Sequence, residues 1–164
     1  MISPAQNEPF PCPTFFQYPV VLLPMMIGRK MGTEKLRIII VDDHQGFINA
    51  VKIFLRNRHE IEIVGEVNDA FQFQEIMKTT IADVVLMDIN LPEIDGLDAG
   101  KMALITDREL KVLGVTMSDD YNIHLNMLQN GFSGGILKNQ FTQDFDKAIN
   151  KIKNGGVYFP VLNR

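Results

Sequence analysis

Five times between residues 36 and 153, a short apolar run gives way to a longer amphipathic stretch, and that alternation constrains the fold more than any other feature of the chain. "LRIIIV" (36–41), "IEIVGEV" (61–67), "ADVVLMD" (82–88), "LKVLGVT" (110–116) and "GGILK" (134–138) read as strands. Continuous runs of branched residues suit strands covered on both faces. Between them, apolar residues recur at helical spacing: Phe47, Val51, Phe54 and Leu55, then Phe73, Ile76 and Met77 over residues 69–79 behind an Asp69 cap. Further helices are expected over 96–105, despite the poor helix former Gly100, over 119–130, and over 142–153, where Phe145, Ile149 and Ile152 largely oppose Lys147, Lys151 and Lys153. Strand–helix alternation of this kind predicts an α/β fold, a parallel sheet with helices on both faces. Ligands of such sheets bind at the carboxyl ends of the strands.

The remaining sequence narrows the class. Of 164 residues, 46% are hydrophobic, enough for one domain with a real core. A net charge of -4 lacks the basic footprint of a nucleic-acid binder, so no direct nucleic-acid binding by this chain is expected. One cysteine, Cys12, cannot form an internal disulfide, which makes a reducing, cytoplasmic setting the default. Six of the eight prolines fall before residue 25, in a stretch without helical or strand period. Residues 1–33 therefore read as a mobile Pro-rich extension, residues 34–158 as the domain, and residues 159–164 as a tail or the start of a linker. The best apolar run of the extension, "VVLLPMMI", is broken by Pro24 and too short to span a bilayer, so no membrane association is expected. "MGTEKLRIII" is a natural domain start and marks Met31 as a candidate initiator.

The last residues of the predicted strands carry the chemistry. Asp42 and Asp43 follow the first strand, Asp88 the third, Thr116 the fourth and Lys138 the fifth, all at one sheet edge. Singly, each has an ordinary explanation as a helix cap, a β-branched strand residue or a solvated end. Together they gather three carboxylates, a hydroxyl and an ammonium. Clustered carboxylates raise one another's proton affinity unless a cation intervenes. Hard oxygen ligands with an incomplete shell favour Mg2+, with room left for water and a phosphoryl group. A carboxylate can then attack an activated phosphoryl group while a metal ion and a lysine offset charge on the equatorial oxygens.

"IIIVDDH", "VVLMDINLPEIDG", "VTMSDD" and "GGILK" together resemble the receiver domain of two-component response regulators, over roughly residues 36–158. The resemblance implies a flavodoxin-like, doubly wound sheet of five parallel strands in order 2-1-3-4-5. It implies Asp88 as phosphoacceptor, with Thr116 as the switch hydroxyl and Lys138 as the phosphoryl-contacting lysine. It assigns Mg2+ to Asp42, Asp43, Asp88 and the Asn90 backbone carbonyl. The chain departs from the family at Gly135, where an aromatic residue is usual, and at Asn139, where proline is common. "AINKIKNGGVYFP" resembles the end of receivers that precede a LuxR-type helix-turn-helix domain, a module needing several dozen more residues.

Expected partners are a sensor histidine kinase or phosphotransfer protein and, as a candidate, a second copy of the chain. On this reading the protein is a signalling domain rather than an enzyme, controlling transcription through a further C-terminal domain. Two alternatives stand beside it: a magnesium-dependent phosphatase working through an aspartyl phosphate, and a phosphate-independent interaction module. The first lacks a second acid, since Asn90 stands two residues beyond Asp88. A calcium loop in "DINLPEIDG" fails because Pro92 and Glu93 stand where an oxygen ligand and glycine are needed. The glycines at 131, 134 and 135 do not make a dinucleotide fingerprint, and His44, His59 and His124 are scattered, with only His44 beside the acidic pair.

Overall fold

In a strand, successive side chains point to opposite faces, and the run 36–41 shows this directly. Leu36, Ile38 and Ile40 belong to one buried cluster and Ile39 and Val41 to another. The computed structural model describes residues 35–163, so the Pro-rich extension and candidate initiator Met31 lie outside the described residues.

Five strands alternate with five α-helices: β1 (Leu36–Val41), α1 (Gln45–Leu55), β2 (Ile61–Val67), α2 (Ala70–Met77), β3 (Val84–Asp88), α3 (Gly96–Thr106), β4 (Lys111–Thr116), α4 (Tyr121–Gln129), β5 (Gly134–Leu137) and α5 (Phe141–Lys153). All pairings are parallel and the order is β2-β1-β3-β4-β5, the flavodoxin-like arrangement. One face packs Ile38, Ile40, Leu86, Val115 and Ile136 against α1 and α5, where Phe141 and Phe145 lie. The opposite face packs Ile39, Val85, Met87 and Val112 against α2, α3 and α4, with Phe73 and Met127 among its core. No helix among the described residues is long and apolar enough to cross a membrane.

Several expected details meet a physical reason. Asp69 caps α2, accepting a hydrogen bond from the Gln72 backbone N–H at 2.7 Å. The third apolar run predicts a strand from Ala82, but β3 begins at Val84. Asp83 instead turns its carboxylate to Arg37, accepting from its backbone N–H at 2.8 Å and from Nε and Nη2 at 3.0 and 2.8 Å. α3 runs through Gly100 as expected, and the space beside it explains the glycine: a Cβ there would sit 2.4 Å from the Phe132 ring. β1 and β2 lose register once, between Ile38 and Ile39, where Val64 is passed over.

Residues beyond α5 return to the sheet. Tyr158 makes a parallel bridge to Gly134, Phe159 and Val161 are buried, and a short 3-10 turn covers Pro160–Asn163. The Tyr158 hydroxyl donates to Asp144 Oδ1 at 2.9 Å. Burial, together with that carboxylate, pushes the Tyr158 phenol up to about 12.

Candidate functional site

The strand alternation that sorts the core also sorts the residues at the strand ends. Asp42 continues the Ile38, Ile40 series, Asp88 the Val84, Leu86 series and Lys138 the series of Ile136, so all three emerge on the α1/α5 side. Thr116 falls on the opposite parity from Val115, toward α4. Asp88 pairs in register with Val115, and Thr116 with Leu137, which brings these ends side by side.

Asp42 and Asp88 are almost fully buried, at 1% and 2% exposure. Lys138 Nζ lies between them, 2.7 Å from Asp42 Oδ2 and 2.8 Å from Asp88 Oδ2. The other oxygens are held by the backbone: Asp42 Oδ1 accepts from the His44 N–H at 2.9 Å and Asp88 Oδ1 from the Asn90 N–H at 3.1 Å. Asp43 is more open, and its Oδ1 lies 2.6 Å from His44 Nδ1. Oxygens of Asp42, Asp43 and Asp88 and a nitrogen of His44 all lie within 4.8 Å of one another.

Burial pushes the Asp42 carboxyl above its ordinary range; Lys138 and the His44 N–H pull it down, and the Asp88 charge pushes it up again. For Lys138, burial works toward a lower value, but hydrogen bonds and charges from Asp42 and Asp88 together outweigh it and hold the ammonium above its ordinary value. One largely buried cation therefore serves two buried carboxylates. The pocket is short of positive charge.

The loop after β3 is locked by a close approach. Gly96 N–H donates to the Ile89 carbonyl, and a Cβ on Gly96 would lie 1.8 Å from the Asp88 carbonyl oxygen. Within that loop Ile94 N–H donates to the Pro92 carbonyl across Glu93, whose φ of 67° is left-handed. Thr116, fully buried, accepts from the Ser118 N–H at 3.1 Å through its Oγ1.

Asp42, Asp43, Asp88 and Lys138 thus meet in one pocket, Asn90 touches it through its backbone N–H, and Thr116 ends the neighbouring strand. His59 lies apart, lining a hollow with Lys35, Lys52 and Arg58 at the other end of β1 and β2. Two further side chains belong to the surroundings of the site. Phe47, readable only as a core position of α1, has its ring 5.0 Å from Lys138 Nζ and covers the ammonium. His124, on α4, is fully buried and reaches the Ser118 carbonyl. Neither contact has a signal in local sequence spacing.

Comparison with known proteins gives the same family from three directions. The response regulator receiver domain model matches residues 38–150. The chain is 31% identical over 132 residues to the transcriptional regulatory protein DegU of Brevibacillus brevis, covering 80% of this chain and 56% of that protein. It is 30% identical over 125 residues to the transcriptional regulatory protein MctR of Rhizobium johnstonii, covering 76% of this chain and 58% of MctR. The chain thus spans a little over half the length of these curated relatives. Among solved structures, it is similar to a LuxR-family two-component response regulator from Aurantimonas, with a TM-score of 0.71 at 26% identity, covering 76% of this chain and 89% of that one. The signal receiver domain of NarL from Mycobacterium tuberculosis aligns with a TM-score of 0.68 at 29% identity, over 74% of this chain and 98% of that one.

Proposed function

This chain belongs to the response regulator receiver domain family, and from that premise we propose that it is a phosphorylation-driven switch with Asp88 as its phosphoacceptor. The observation that carries the proposal is Lys138 Nζ, which spans the buried carboxylates of Asp42 and Asp88 at the mouth of the sheet. A carboxylate in that position is a nucleophile with a cation beside it to meet the incoming phosphoryl charge.

The donor is proposed to be a phosphohistidine of a sensor kinase or phosphotransfer protein. A carboxylate oxygen of Asp88 attacks phosphorus, and the P–N bond breaks. The electron pair stays on the donor imidazole, which takes a proton from solvent, and Asp88 becomes an acyl phosphate. Lys138 provides a point charge to a phosphoryl oxygen, and the Thr116 hydroxyl donates a hydrogen bond to another. Asp42, Asp43, Asp88 and the Asn90 carbonyl are proposed to hold Mg2+. Their fit rests on carboxylates with ligand atoms inside 4.8 Å of one another and on an Asp42 carboxyl held above its ordinary range by burial first and then by the Asp88 charge, a repulsion that a bound cation would offset. When bound, the ion supplies charge neutralisation at the equatorial oxygens.

Receiver domains are signalling domains rather than enzymes, and Asn90 offers no acid to protonate a leaving group, which weighs against phosphomonoester hydrolysis. The output is proposed to be control of transcription through a LuxR-type helix-turn-helix domain, in keeping with relatives named as transcriptional regulators and with a match covering only 56% of the first of them. A cytoplasmic setting and association with a second copy of the chain are parts of the same proposal. The test is intact mass after incubation with Mg2+ and acetyl phosphate: the chain gains one phosphoryl group and Asp88→Asn does not. A chain that gains none, or an Asp88→Asn variant that gains it equally, overturns the assignment.

A further inference from the structure

In this chain β5 offers no ring to report on Thr116, because residue 135 is glycine. The structure shows what occupies the vacated volume. A Cβ built on Gly135 would lie 2.9 Å from His124 Nδ1 and 2.9 and 3.0 Å from two carbons of the Phe159 ring. An imidazole from α4 and a phenyl ring from the segment after α5 therefore fill the place. Their rings meet edge to face, with centroids 6.5 Å apart.

The imidazole is also tied to the loop that carries Thr116. The Ser118 carbonyl can only accept, so His124 Nε2, 3.2 Å away, bears the proton and donates to it. Ser118 in turn gives its backbone N–H to Thr116 Oγ1. On the far side, the Phe159 carbonyl accepts from the Leu162 N–H and from Asn163 Nδ2, and so anchors the turn that ends the described chain. One connected path runs from Thr116 Oγ1 through Ser118 and His124 to Phe159 and residues 160–163.

We propose that His124 is a positioning residue which, acting through Ser118, couples the Thr116 hydroxyl to the C-terminal segment 157–163, making that segment and not a β5 side chain the readout of the site. This rests on the phosphoacceptor reading above. When the Thr116 hydroxyl turns to a phosphoryl oxygen, its present bond to the Ser118 N–H is surrendered and the 117–120 loop repacks. The Ser118 carbonyl moves with that loop, His124 follows the carbonyl, and the Phe159 ring must yield because both rings share one closed volume. The signal then leaves the site along the backbone of 157–163 rather than across a surface.

The test is backbone hydrogen exchange on the full chain with Mg2+ and acetyl phosphate, comparing samples at equal phosphorylated fraction as fixed by intact mass. In the unsubstituted protein, phosphorylation alters exchange in both 116–123 and 157–163. In His124→Leu, which keeps bulk but cannot donate, the response of 116–123 remains and that of 157–163 is lost. In His124→Gln, whose amide can donate to Ser118, it returns. A purely structural role for His124 would not produce rescue by a hydrogen-bond donor. Should His124→Leu fail to fold, Phe159→Leu cuts the path from its other end and must likewise silence 160–163 while leaving 116–123 responsive. The inference is overturned if 157–163 ignores phosphorylation in the unsubstituted chain, or if its response survives in the Leu variants. Failure of the phosphoacceptor reading is distinguishable, because no phosphoryl mass is then gained, and the inference falls with it.

Discussion

Replacing Lys138 by methionine keeps the aliphatic stem under Phe47 and deletes the one cation between Asp42 and Asp88. Acidic ligand atoms as much as 4.8 Å apart repel by about 3.5 kcal/mol at an effective dielectric of ~20. Each attraction across 2.7 to 2.8 Å that the ammonium supplies is worth about 6 kcal/mol on the same footing, before desolvation is deducted. Removing one partner of a buried ion pair strands the others, at a net cost of about 3 to 5 kcal/mol. Proton uptake by Asp42, already held above its ordinary value, relieves part of this, so the expected loss at neutral pH in chelator is about 3 kcal/mol. With a urea slope of about 1.5 kcal/mol per molar, the unfolding midpoint falls by about 2 M. Two further signs follow. A carboxyl whose folded pKa is raised destabilises the fold as pH rises from its unfolded value of 3.8, so the deficit shrinks on acidification. Mg2+ replaces the missing charge, so the deficit also shrinks in its presence, and the variant binds the ion more tightly than the parent. Urea titrations in chelator and in Mg2+, at neutral and acid pH, check all three. An unchanged midpoint in chelator, or a deficit indifferent to both Mg2+ and pH, refutes the account of the pocket.

Gly96→Ala drives a methyl into the Asp88 carbonyl oxygen, which as backbone cannot swing aside, and costs about 3 kcal/mol in urea unfolding. Gly65→Ala is milder, at about 1 kcal/mol, because the obstructing atom is the end of the flexible Ile76 side chain. Asp83→Ala removes three hydrogen bonds that Arg37 donates, one of them from its backbone N–H, and lowers stability by about 3 kcal/mol, measured by denaturant midpoint. Tyr158 ionises near pH 12, above the 10.0 of an ordinary phenol, so the fold loses stability as pH rises through that window; ultraviolet titration shows a late phenolate step that Tyr158→Phe removes.

β1 was legible because a covered strand needs uninterrupted branched residues, and "LRIIIV" coincides with it to the residue; "IEIVGEV" coincides with β2 although that edge strand is only partly covered and carries Glu62, Gly65 and Glu66. The architecture followed from their alternation with amphipathic stretches. Asp42, Asp88 and Lys138 could be placed at one edge because each ends such a run. Strand ends set by a partner were less visible: Asp83 leaves β3 for Arg37, 46 residues away, and nothing local announces that pairing. His124 stood in an ordinary helical context beside Ile123 and Met127, and its burial depends on the absence of a side chain at Gly135 on another element. Phe159 and Val161 follow two glycines without any period, so residues 159–164 read as tail; the Phe159 ring lies where a Gly135 side chain would stand, a relation between distant elements that local spacing cannot announce.

That returning segment has a consequence for how the sheet meets other chains. An exposed strand edge is a template for adding foreign strands. At one edge, the start of β5 is hydrogen-bonded by the chain itself, Gly135 N–H giving to the Tyr158 carbonyl and Tyr158 N–H to that of Ser133, just before the strand. At the other, β2 breaks register at Val64 and turns Glu62 and Glu66 outward, and an irregular, charged rim is a poor template. Clipping after Gly156 would therefore do more than shorten the protein: it would leave the Gly135 N–H and the Ser133 carbonyl open at the rim of the sheet, two groups a foreign strand can pair with.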